Sequence, residues 1–309
     1  MNYDLVIIGG GPAGVTAGIY AVRKDIKTLI ITKDFLGQTG NAATVENWPG
    51  TQKITGLELM QSFRDHVKSY SVDILEGESV MVLDKRDNLF ILKTSKAKEI
   101  ESKSVIISSG KNPRLLKIPG ENEFLGKGVV YCAICDAPLF AGKNVAIIGG
   151  GNAGFETALE MKRRNCPEVY ILEACPKLLA DEILQKEAKK AGIRVLLRAR
   201  IREICGNNFV ESIKYTDMNT KENKILNIEG VFVEIGSIPV IDFVGDLTDC
   251  NEKKEIVIDH AKCTTKTPGL FAAGDVTDTP YKQIVIAAGE GAKAALSAYE
   301  YLNEQNKVN

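Results

Sequence analysis

Short, unbroken apolar runs recur along this chain just ahead of glycine-rich turns. Leu5–Ile8 leads into Gly9–Gly14, and a small-residue helix reaching about Val22 separates it from a second run at Leu29–Ile31. Runs of this kind predict strands buried on both faces, as in a parallel sheet. Residues 74–108 instead alternate apolar and polar positions, which predicts short strands at Ser79–Leu83 and Leu89–Lys93 before a buried strand at Val105–Ile107. The Pro- and Gly-bearing stretch from Lys111 to Gly120 reads as a crossing between domains.

From Val145 the pattern restarts. Val145–Ile148, Gly149–Gly154 and a helix repeat the order of the first half, and each copy runs on through a meander to an apolar strand closed by glycine, Gly110 and then Gly236. Leu270–Ala273 is another buried run, ending at Gly274 and Asp275, and a helix is expected from about Gln283 to Tyr301. The pattern predicts an α/β protein of two Rossmann-like, three-layer dinucleotide-binding domains, the second inserted into the first. Residues 1–114 and 245–309 would form the first domain and 115–244 the second, with a plausible hinge at the crossings.

Each glycine motif has a physical reason for its spacing. Gly9 permits the tight turn, Gly11 lets backbone approach a pyrophosphate, and Gly14 brings helix and strand close. Pro12 and Ala13 open a helix whose N-terminus offers free N–H groups and partial positive charge. Gly149, Gly151 and Gly154 repeat the arrangement. Strand, turn and helix in that order lift G-x-G-x-x-G above coincidence.

Composition narrows the function. A chain of 309 residues suits two domains, and a formal net charge of −1 leaves no basic run to track nucleic acid. No apolar run is long enough to span a bilayer, and Met1–Ile8 has no signal-peptide pattern. Seven cysteines without framework spacing point to a reducing, cytoplasmic setting with one special pair. The other five read as small buried hydrophobes.

That pair is Cys132–Cys135. A Cys-x-x-Cys can close a disulfide and reopen as a dithiol, storing two electrons. Half a zinc site is the competing reading, but neither His66 nor His260 has ligand spacing, so no metal is expected. A structural disulfide is the other alternative. With no histidine nearby, Asp136 is the acid/base candidate; it could equally cap the following helix.

Together these motifs resemble the low-molecular-weight thioredoxin reductases over essentially the whole chain. The matching pieces are Gly9–Gly14, Gly37–Gly40, Glu46–Gly50, Cys132–Asp136, Gly149–Gly154, Phe271–Val276 and Tyr281–Gln283. The resemblance implies FAD in the first domain, held by Gly9, Gly11, Pro12, Ala13, Gly14, Gly37, Gln38, Asn47, Gly110, Gly274, Asp275, Lys282, Gln283 and Ile284. It implies a homodimer, thioredoxin or a similar protein as substrate, and a second domain that rotates. Cys135 would face the flavin, and Cys132 would attack the substrate disulfide.

The second nucleotide site departs from NADPH-using relatives, which carry a basic cluster after the strand. Here the chain reads Ile171–Lys177, and Glu173 falls about 20 residues after Gly154, where an acid bonds a free ribose 2′-OH. A carboxylate with no arginine to offset it disfavours NADPH. Glu173 read literally predicts NADH. A vestigial site, as in the clostridial ferredoxin-dependent flavin thioredoxin reductases, predicts reduced ferredoxin, and the analogy leans to ferredoxin. A ferredoxin–NADP reductase has no use for the cysteine pair. A flavin-binding redox sensor without turnover is the alternative of another class.

Overall fold

The computed structural model describes residues 2–42 and 44–308. It divides into two compact units, Met1–Asn112 with Ile238–Asn309, and Pro113–Ser237. The second boundary lies earlier than the 244/245 division expected from sequence. The segment after Ile238 bonds back to the first unit: Val240 N–H donates to Gly110 O, and Leu83 N–H to Phe243 O.

In the first unit a seven-stranded sheet runs in the order Asp73–Glu76, Thr28–Thr32, Asn2–Ile8, Glu99–Ile107, Leu89–Thr94, Val80–Arg86, with Leu270–Ala272 also pairing Glu99–Ile107. The strands at the glycine turn are parallel, in register Ile8↔Ile31 and Ile8↔Ile107. The meander strands are antiparallel. Leu5, Val6 and Ile7 are all fully buried, as an unbroken run covered on both faces requires. Helix Pro12–Val22 packs on the long C-terminal helix Ile284–Val308. A Cβ on Gly291 would lie 2.1 Å from Ala13 O, so glycine is what allows that approach. The long helix outruns its expected end near Tyr301: Leu302 is its last buried residue, and exposed polar residues continue the turn.

The second unit repeats the plan. Its parallel sheet runs Arg194–Leu197, Val169–Glu173, Val145–Ile148, Gly230–Val233, Val129–Val130, beside an antiparallel sheet of Ala199–Gly206, Val210–Asp217 and Asn223–Asn227. Alternation along one strand serves two cores. Val145 and Ile147 belong to a cluster with Phe155, Ile171 and Phe232; Ala146 and Ile148 belong to another with Leu172, Ile213 and Val231. Burying a large side chain of this kind contributes about 1.5–3 kcal/mol, so an apolar residue at every position of the strand stabilises both layers. Among the described residues no helix is long and apolar enough to cross a membrane.

Candidate functional site

The first glycine turn is tight where the motif says it must be. Gly9 has φ +116°, and a Cβ there would meet Ser108 O at 2.3 Å; a Cβ on Gly14 would meet Gly9 O at 1.9 Å. Around Gly11 nothing lies within 4 Å of a hypothetical Cβ, which leaves the N-terminus of helix Pro12–Val22 open to an anion. Gly274, with φ +80°, turns the chain after strand Leu270–Ala272 and sets Asp275 beside the turn's helix.

Asp275 has the character of a ligand-binding acid. Burial pushes its carboxyl up, partly offset by Lys111 and Lys282, and it makes no hydrogen bond among the described residues. A ribityl or ribose hydroxyl would satisfy it. The open Gly11 turn and this unbonded carboxyl together fit FAD. Asn47 and Gln283 come together, Asn47 Nδ2 donating to Gln283 Oε1 at 3.1 Å, just before Ile284 opens the long helix. Gly37 and Gly110 adopt positive φ, and Gln38 is exposed ahead of the turn Thr39–Asn41.

Lys282 is engaged by its own protein. Its Nζ pairs with Glu255 at 3.1 Å and donates to Thr277 O. Among the buried acids outside the sequence motifs is Glu290, whose Oε2 accepts from Gly274 N–H at 2.7 Å.

In the second unit Cys132 and Cys135 are joined in a disulfide, their Cα atoms 5.3 Å apart. Cys132 precedes the helical turn Ala133–Asp136, which brings residues three apart onto one face. Asp136 follows directly and is only 6 % exposed; burial pushes its carboxyl up to about 6. It stands at the start of the turn Ala137–Phe140 without making a side-chain cap, so the capping alternative has no bond behind it. The remaining cysteines are free. Cys166 and Cys263 are buried, with thiols pushed up by desolvation, Cys263 to about 11. Cys175 and Cys250 are exposed, contrary to the expectation of buried hydrophobes: Cys175 lies in a loop and Cys250 in an isolated bridge to Ile256, both outside the sheets.

The second glycine turn matches the first. A Cβ on Gly149 would lie 2.3 Å from Glu234 O and one on Gly154 2.1 Å from Gly149 O, while Gly151 is open. Glu173, ending its strand, accepts from Gly150 N–H and from Cys175 N–H, each at 2.7 Å. A cleft of about 540 Å³ runs past Gly149 and Glu173 and is also lined by Lys117, Arg200 and Arg202. The segment Ile171–Lys177 itself supplies no arginine, but two from outside it line the same cleft. Strand pairing Glu173↔Leu197 carries Arg200 to the cleft from elsewhere in the sequence. Arg202 is tied to Thr216 at 2.8 Å, whereas Arg200 is exposed and bonds no described residue.

Residues 3–291 match the family described as pyridine nucleotide-disulphide oxidoreductase. Over 301 residues, 97 % of this chain, it is 42 % identical to a protein named NADH dehydrogenase from Bacillus subtilis. It is 40 % identical, over the same share, to a component of the alkyl hydroperoxide reductase of Staphylococcus aureus. The chain spans 58 % and 59 % of the lengths of these two relatives. The thioredoxin reductase of Streptococcus pyogenes superposes with a TM-score of 0.92 at 31 % identity, covering 98 % of this chain and 99 % of that one. With its two glycine turns, its paired cysteines and a match running almost end to end, the chain belongs to the pyridine nucleotide-disulphide oxidoreductase family.

Proposed function

We propose that this chain is a flavin-dependent disulfide reductase that binds FAD in its first unit and reduces thioredoxin or a thioredoxin-like protein through Cys132 and Cys135. The observation that carries the reading is the Cys132–Cys135 disulfide next in the chain to a buried Asp136 carboxyl that makes no hydrogen bond among the described residues. FAD, when bound, supplies the two-electron couple between a donor and that disulfide. Gly9, Gly11, Pro12, Ala13 and Gly14 would hold its pyrophosphate and Asp275 a sugar hydroxyl. Gly37, Gln38, Asn47, Gly110, Gly274, Gln283 and Ile284 would frame the remainder, with Lys282 bracing the loop through Glu255.

Once the pair is a dithiol, the Cys132 thiolate attacks the substrate disulfide. A mixed disulfide forms and one substrate thiolate leaves. Cys135 then attacks the Cys132 sulfur, releasing the second substrate thiolate and restoring the protein disulfide. The two thiol protons end on the substrate. Asp136 is the group suited to take and return them, since a carboxyl titrating near 6 is present in both forms close to neutrality.

For the donor we favour NADH. Glu173 at the strand end suits a free 2′-OH, and a 42 % identical relative is named an NADH dehydrogenase. Gly149, Gly151 and Gly154 would receive the diphosphate. The ferredoxin analogy has no such feature behind it and becomes an arm of the test. A homodimer and a cytoplasmic setting accompany this reading on resemblance alone.

Purified protein is mixed anaerobically with NADH, NADPH or reduced ferredoxin, and the two new thiols at Cys132 and Cys135 are counted by alkylation and mass spectrometry. NADH should generate both rapidly. Thiols appearing only with ferredoxin would overturn the donor. A colourless protein, or full turnover by the Cys132→Ser, Cys135→Ser double variant, would overturn the whole reading.

A further inference from the structure

The C-terminal helix carries one acid into the interior. Glu290 is 5 % exposed, and no cation pairs with it among the described residues. A carboxyl so placed is costly unless donors converge on it. They do. Its Oε2 accepts from Gly274 N–H at 2.7 Å and lies 3.5 Å from the Thr277 hydroxyl, and its Oε1 accepts from the Thr279 hydroxyl. All these donors belong to one segment, Gly274–Thr279, which begins at a positive-φ corner and contains Asp275.

The segment is cross-tied further. Thr277 Oγ1 donates to Gly274 O at 2.8 Å and lies 3.1 Å from Thr279 Oγ1. On its other side the corner rests against the first glycine turn's helix, since a Cβ on Gly274 would lie 3.0 Å from the Ala13 Cβ. Gly291, next to Glu290, meets the same Ala13 through its backbone oxygen. Strand end, glycine-turn helix and C-terminal helix therefore converge where Glu290 sits.

We propose that Glu290 is a positioning residue for the flavin, acting through Gly274 to hold the Asp275 carboxyl where a sugar hydroxyl can reach it. This rests on the FAD reading above. Gly274 N–H has a single direction in which to donate, and Glu290 supplies its acceptor. Without it the φ +80° corner loses the bond that fixes its orientation, and the acid one residue on loses its aim.

Purified flavoprotein is dialysed against graded FAD, and retained flavin is read by absorbance. Glu290→Met keeps the length of the side chain but removes both acceptors; it should weaken FAD binding roughly 10- to 100-fold, the loss of one or two hydrogen bonds to a charged group. Glu290→Gln should recover most of the affinity. Its carbonyl can still face Gly274 N–H, while a threonine hydroxyl can turn to accept from its amide. In an Asp275→Ala background, Glu290→Met should cost little more, because the residue it positions is gone.

Equal FAD retention by Glu290→Met and wild type would overturn the proposal, as would losses that simply add with Asp275→Ala. If Glu290→Met fails to fold by circular dichroism, Thr279→Val takes its place. It should weaken binding several-fold and non-additively with Asp275→Ala, and unchanged binding overturns the proposal. A wild-type protein that holds no FAD at any concentration sinks the flavin reading itself. A wild type that holds FAD beside a Glu290→Met that holds it equally sinks only the role of Glu290.

Discussion

Replacing Asp136 by Asn tests the proton chemistry and the cost of burial at once. In the native protein this carboxyl titrates near 6, raised by desolvation from 3.8. At pH 7 about one molecule in ten therefore carries the proton, against roughly one in a thousand for an ordinary aspartate. Between pH 3.8 and about 6 the folded chain binds the proton that the unfolded chain has already lost, so stability falls as pH rises through that window and is level above it. A gap of about two pKa units corresponds to about 3 kcal/mol.

The comparison needed is of slopes, because a buried Asn amide brings a cost of its own that does not vary with pH. Urea unfolding from about pH 4 to about pH 7.5 should show wild type losing about 3 kcal/mol relative to Asp136→Asn. With the pair pre-reduced by dithiothreitol, thiol release from a small disulfide should slow about 100-fold or more in the variant, and its pH step near 6 should vanish. Parallel stability curves would show that Asp136 is not desolvated as described. An unchanged exchange rate would remove it from the chemistry.

The glycine turns and the second cleft give three further outcomes. Gly14→Ala puts a Cβ 1.9 Å from Gly9 O, so the purified variant should have lost its flavin absorbance or fail to accumulate as folded protein. Glu173→Ala removes the acceptor of Gly150 N–H and should raise the KM for NADH about tenfold or more, whereas Arg200→Ala should raise it with kcat held, in steady-state assays of disulfide reduction.

What was legible in the sequence is what local chain geometry dictates. A glycine turn states its own reason for each glycine, and a Cys-x-x-Cys needs only one helical turn to bring its sulfurs together. Glu290 and Arg200 belong to the other kind. Arg200 reaches the cleft through the parallel register Glu173↔Leu197, and no pattern within either strand specifies that register. Glu290 did leave a trace. Ala287, Gly291, Ala294 and Ala298 form the helix's buried stripe, and an acid sits inside it at a core position. The exposed Cys175 and Cys250 mark the opposite limit, since cysteine's preference for burial says nothing about a particular loop.

The two halves share a backbone plan closely enough for corresponding positions to be matched by their bonds. Gly9 N–H donates to Ile31 O as Gly149 N–H does to Leu172 O, so Thr32 and Glu173 occupy the same place at the end of the second strand. Their chemistry has diverged. Thr32 turns its hydroxyl inward to Asp34 O, and Gly10 rests against it; Glu173 presents a carboxylate that clasps Gly150 N–H. An acid at that strand end is the group that meets a ribose 2′-OH. The first half has none there and instead brings a carboxyl from its last strand, Asp275, held at the corner that Glu290 anchors. On the proposed reading the glycines of each half would receive a diphosphate, and the strand end that supplies the acid would set what each half reads.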